Sequence, residues 1–200
     1  MTDRHAVTAT CVFLLMLAGV GCNDDMEDDD TSPQTQTDNK TSQKPPQGAA
    51  AIEAWLAKGD YNDWSCEPEV HEARSPSPHG FNRICSNDAI ASLATGKGDW
   101  PAGAAAVKEL YASADAKKPV GYAVYLKTKA DSAGGANWYW YERVPLDSAA
   151  PHDSKGVVAD GMGDDGPEKS ICVGCHVAAG ADAAHTPSKG GRDQVYTPVE

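Results

Sequence analysis

The sequence predicts an α+β domain built mainly as an antiparallel β-sheet with a few short helices. Three observations carry that prediction. Residues 120–129 alternate, with Val120, Tyr122, Val124 and Leu126 sharing one face. Residues 138–144 alternate too, Trp138, Trp140 and Val144 opposing Tyr139, Tyr141 and Arg143. Only the short loop 130–137 separates these segments, so they read as an antiparallel pair. The chain also holds 19 Gly and 13 Pro, which argues against long unbroken helices.

The remaining elements follow in order. Residues 49–58 (AAAIEAWLAK) read as a short helix with Ile52, Trp55 and Leu56 on one face, ended by Gly59. Residues 75–80 (SPSPHG) form a rigid loop, and residues 81–85 a short strand. Residues 87–95 look helical, closed by Gly96. Residues 103–114 are ambiguous, because AAAVKELYASA suits a helix as well as a strand. Read as a strand, Lys108 shares a face with Ala106 and Leu110.

The N-terminus reads as an export signal. A weak basic start (Arg4, His5) precedes the apolar run 12–20, about half the length needed to span a bilayer. Gly21-Cys22 then resembles the lipobox of bacterial lipoproteins, whose cysteine is acylated after cleavage. The alternative is ordinary secretion with cleavage nearby. Residues 1–21 are thus the expected signal. Residues 22–48 are an acidic and polar tether with almost nothing to bury, expected to be disordered. Residues 49–200 are the expected folded domain. The expected location is the bacterial cell envelope, lipid-anchored or periplasmic, touching membrane only through the anchor. A net charge of −12 leaves no basic surface for phosphates, so nucleic acid is not an expected partner.

Cys172-Val-Gly-Cys175-His176 is the strongest chemical signal. Two cysteines three apart can form thioethers to the two vinyl groups of one haem, and the adjacent histidine then becomes an axial ligand. One covalent haem c is the expected cofactor, with Cys172 and Cys175 attaching it and His176 on the iron. A zinc site would need a second closely spaced ligand pair, and Cys66 and Cys85 are too far apart to supply one. A redox CxxC usually opens a βαβ unit rather than sitting 25 residues from the chain end. Cys66 and Cys85 are expected to pair in an oxidising compartment, closing an ~20-residue loop for roughly 3 kcal/mol. Two free buried thiols are the alternative.

The opposite face of the iron decides function. Beyond the signal only Met26 and Met162 exist, and no methionine follows His176. His71, His79, His152 and His185 are further ligand candidates, each more simply read as a surface histidine. An open distal iron that binds small molecules is therefore the leading expectation.

Several segments, taken in order, carry a resemblance. Pro78-His79-Gly80, Asn87, Trp100-Pro-Ala-Gly103, Val107-Lys108-Glu109-Leu110, Asn137-Trp138-Tyr139-Trp140-Tyr141, the late CVGCH and Asp193-Gln-Val-Tyr196 resemble the cytochrome P-460 family over about residues 60–198. The resemblance implies a mainly antiparallel β-sheet, commonly dimeric, and turns residues 103–114 toward strand. It implies oxidation of hydroxylamine or reaction with nitric oxide, electrons leaving to a redox partner cytochrome. The non-enzymatic alternative is gas binding of the cytochrome c′-beta type; a plain electron carrier fits less well. In the family's enzymes a lysine is covalently joined to the haem rim, and the matching position is Lys108; the competing reading is a surface lysine paired with Glu109 or another acid. A distal acid assists proton transfer in those enzymes. Asp164, Asp165 and Glu168 are the nearby acids, with Asp165 the candidate against a solvated loop.

Overall fold

The computed structural model describes residues 44–74, 77–92, 98–179 and 192–196. The signal 1–21, the lipidation candidate Cys22, the tether as far as residue 43, the end of the expected helix 87–95 and His185 lie outside the described residues.

Packing begins earlier than the boundary expected at residue 49, because Pro45 is fully buried. Helix α1 (Ala49–Lys58) carries Ile52, Trp55 and Leu56 on its inward face. Each buried side chain of this kind contributes about 2 kcal/mol. Gly59 ends the helix in the left-handed conformation (φ 69°), and its N–H reaches back to the carbonyls of Leu56 and Trp55.

Seven strands form one antiparallel sheet: β1 (Ser65–Cys66), β2 (His71–Glu72), β3 (Phe81–Ser86), β4 (Ala105–Tyr111), β5 (Gly121–Lys127), β6 (Trp138–Arg143) and β7 (Val157–Met162). From β3 to β7 every strand pairs with its successor in sequence. The two short strands β1 and β2 share the outer edge of β3. Cys66 lies directly opposite Cys85 in this register, and the two are joined as a disulfide.

Residues 103–114 resolve as strand β4, because β3 and β5 hydrogen-bond along both of its edges. The helix expected at 87–95 is short, α2 (Asp88–Ala91), with Asn87 at its N-cap. The last elements are a π-helical stretch, Glu168–Val173, and a single turn, α3 (Gly174–His176).

Strand alternation divides the core in two. Ala105, Val107, Val124, Leu126, Tyr139 and Tyr141 face α1, where Trp55, Tyr61 and Trp64 form an aromatic group with ring centroids 5.5–6.5 Å apart. Ile84, Ala106, Trp138 and Trp140 face the other way and pack against Cys172 and Val173. The CVGCH segment therefore covers the sheet face that α1 does not.

Candidate functional site

A cavity of about 190 Å³ opens on this second face. Inward residues of β3, β4, β5 and β6 build its floor: Ile84, Lys108, Ala123, Tyr125, Trp140 and Glu142. Cys172, Cys175 and His176 close one wall, and Arg74, Pro78 and His79 of the loop before β3 line another. The thiols of Cys172 and Cys175 are both free. Burial pushes the Cys172 thiol up to about 12, helped by the charges of Glu142 and Glu168, so it is held as neutral S–H.

His176 is boxed by aromatics. Its ring centroid lies 4.8 Å from Trp140, 5.4 Å from Tyr196 and 5.9 Å from Tyr125. Burial pulls its pKa down to about 3, the charge of Lys108 adds to that, and the Gln194 carbonyl opposes it. The imidazole is therefore neutral. Its Nδ1 lies 2.6 Å from the Gln194 carbonyl, which can only accept, so Nδ1 carries the proton. Nε2 is left with its lone pair, the tautomer a metal-binding histidine needs. Tyr196 Oη donates to the Cys175 carbonyl at 2.6 Å, tying the same strap to the motif.

That strap is a tight turn. Arg192 and Val195 exchange backbone hydrogen bonds, each 2.8 Å. Asp193 (φ 42°) and Gln194 (φ 71°) both adopt the left-handed conformation, the pattern of a primed hairpin turn usually filled by Asn-Gly. Each non-glycine there costs about 1 kcal/mol. Fixed contacts offset the strain. Asp193 accepts from the Trp100 amide at 2.8 Å and from the Lys127 ammonium at 2.5 Å. Trp100 Nε1 donates to the Arg192 carbonyl at 3.1 Å, and the Arg192 guanidinium lies 3.7 Å above the Trp100 ring.

Lys108 faces the cavity rather than Glu109. Among the described residues it makes no hydrogen bond or ion pair. Its surface is only partly covered, because it borders the cavity, yet protein surrounds it. Burial pulls its ammonium pKa down to about 8, against the opposing charges of Glu142 and Glu67. Glu142 is the cavity's carboxylate, buried to 9% exposure, with Oε1 3.3 Å from His79 Nδ1.

Asp165 is exposed in the turn before the π-helix, where its Oδ1 accepts the Gly166 amide at 2.7 Å, and it does not border the cavity. Asp164 is likewise exposed, and Glu168 is spent on the Asp160 amide at 2.6 Å. Met162 packs on the α1 side of the sheet, so it is not on the cavity. Of the described ligand-candidate histidines only His79 borders it. His71 is held by Glu67 at 2.9 Å, and His152 by the Asp153 carbonyl at 2.7 Å.

Sequence reasoning missed Glu142 and Gln194. Glu142 had a signal: an acid falling in phase with Trp138 and Trp140 on a buried strand face. Gln194 had none, because it acts through its main-chain carbonyl. Cys172, Cys175 and His176 are the residues that could hold a cofactor. Among the described residues no group of three or more His, Cys, Asp or Glu is gathered to hold a bare metal ion. Comparison with protein-family models, with curated proteins and with solved structures found no match.

Proposed function

We propose that this chain is a mono-haem c-type cytochrome of the bacterial cell envelope that oxidises hydroxylamine or reacts with nitric oxide at an open distal iron. The observation that carries this reading is one shared cavity. It is bordered by Cys172, Cys175 and His176, by the lysine singled out by the cytochrome P-460 resemblance, and by the Glu142–His79 pair. The donor set fits a haem c: two free thiols one helical turn apart, a neutral imidazole whose Nε2 has no partner among the described residues, and walls that are mainly apolar. Cys172 and Cys175 would attach the group and His176 would ligate its iron. Such a haem supplies a one-electron centre with a coordination position for a small ligand.

The chain's own residues supply the rest. Trp140, Tyr125 and Tyr196 hold the His176 ring at a fixed tilt. Ile84, Ala123 and Val158 keep the cavity poor in water, which favours small uncharged ligands. Glu142 is the group able to take a proton released from a nitrogen ligand, and His79 is the next acceptor at 3.3 Å. Lys108 is the candidate for the family's cross-link to the haem rim. Residues 1–21 and Cys22 belong to export and anchoring in this reading, and the electrons leave to a partner cytochrome.

The test is the optical spectrum of the ferrous protein made with c-type maturation, with and without nitric oxide, together with hydroxylamine turnover. A covalent haem, a red-shifted Soret band and turnover lost in Glu142→Gln are expected. Tight nitric oxide binding without turnover would instead favour a gas-binding protein, the reading that the mainly apolar cavity wall supports. A chain that leaves maturation without covalent haem overturns both.

A further inference from the structure

Lys127 is fully buried, lies on the cavity-side face of β5 and takes no part in the chemistry above. Its ammonium meets Asp193 at 2.5 Å, where the carboxylate side chain is itself 7% exposed. Asp99 stands 3.6 Å away and the Trp138 ring 5.5 Å away. A buried ion pair recovers little net stability, because removing both charges from water offsets their attraction. Such a pair earns its place by fixing geometry, and here the geometry is specific. Asp193 is the first left-handed residue of the strap turn and Gln194 the second. The Gln194 carbonyl accepts from His176 Nδ1. A turn of two strained non-glycine residues would relax if released. Lys127 and Trp100 hold it through the Asp193 carboxylate, one residue before the carbonyl that meets His176.

We propose that the Lys127–Asp193 pair is a positioning device for the axial histidine, setting how firmly the Gln194 carbonyl holds His176 and thereby tuning the iron. The inference rests on the haem reading above. A carbonyl firmly bound at Nδ1 makes the imidazole a stronger donor, which favours the ferric state. Releasing the turn weakens that donation.

The experiment compares wild type, Asp193→Asn and Lys127→Met as holoproteins, reading reduction potential and the iron–histidine stretch of the ferrous form. Glu109→Gln, on the other sheet face, is the control for lost stability alone. Both strap variants are expected to keep covalent haem, lower the stretching frequency and favour the ferrous state about tenfold, a rise of ~59 mV for one electron. The control should move neither readout. An unchanged potential and stretch in both strap variants overturns the proposal, as does failure of both to fold around haem, which would make the pair architectural. A wild type without covalent haem overturns the haem reading first, and is told apart because no variant is needed to see it.

Discussion

Lys108 and Glu109 are neighbours on β4, and they point to opposite faces of the sheet. Glu109 is saturated. Arg83 Nε, Tyr61 Oη and Tyr111 Oη each donate to it at 2.7 Å. Burial alone would raise its pKa, but the three donors outweigh burial and hold the carboxyl below its ordinary range. The phenols answer in the other direction, Tyr111 being pushed up to about 12 by burial and by the carboxylate. Lys108 meets no such partner among the described residues and borders the cavity with a free thiol, an unpaired imidazole nitrogen and Glu142. One face of the sheet spends its polar groups on one another and is scaffold. The other pairs Lys127 with Asp193 and Glu142 with His79 but leaves Lys108 without a partner among the described residues, at the edge of the cavity.

The strongest way to break this comparison is to remove the two cysteines that the proposed haem would use. Cys172→Ser with Cys175→Ser is expected to abolish covalent haem completely, judged by haem staining after denaturing electrophoresis. Circular dichroism should stay that of the folded sheet, since neither cysteine is part of the α1-side core. Collapse of the sheet signal would mean the two faces are not separable.

Glu109→Gln tests the scaffold face. It should destabilise by about 2–3 kcal/mol in chemical denaturation, less than a fully enclosed pair because Arg83 reaches solvent. Its pH dependence has a fixed sign. The depressed carboxyl stabilises above the unfolded value of about 4.5 and loses that contribution as pH falls through the lower folded value. The variant should therefore show a shallower loss of stability in acid.

Gly135→Ala tests the seam between the 130–137 loop and the CVGCH segment. Gly135 has φ 106°, and an added Cβ would come within 2.6 Å of Val173 Cγ1, beside Cys172. A loss of about 2 kcal/mol in denaturation is expected. Lys108→Met gives the smallest effect, a gain of about 1 kcal/mol at neutral pH, best read in the haem-free double-serine background. There the unfolded lysine holds its proton to about 10.5 and the folded one only to about 8, so stability rises with pH between those values. The methionine variant should lack that rise, and a lysine already joined to haem in the holoprotein should lack it too.

Much of the scaffold was legible because its strands alternate and its helix is short and capped. Helix α1, β5 and β6 fall within a residue or two of the segments read from periodicity. Strand β7 was not legible: Val157–Met162 carries Asp160 and Gly161, poor strand formers, and lies at the sheet edge. Strand β4 was ambiguous from composition alone; the resemblance turned it toward strand, and pairing along both edges makes it one. The site divides in the same way. CVGCH announces itself by spacing. Asp165 misled because nearness to the motif in sequence is not nearness to the cavity: its turn faces solvent. Gln194 could not be found, since a carbonyl belongs to every residue and only the turn aims this one.

The meander from β3 to β7 carries one more consequence. Each strand is matched by the one translated just before it, so the cavity floor is complete by residue 143, a full 29 residues ahead of Cys172. Pairing of this local kind closes quickly. A chain emerging in sequence order can thus assemble this floor first and bring Cys172, Cys175 and His176 to it afterwards, with the 192–196 turn following to hold the histidine.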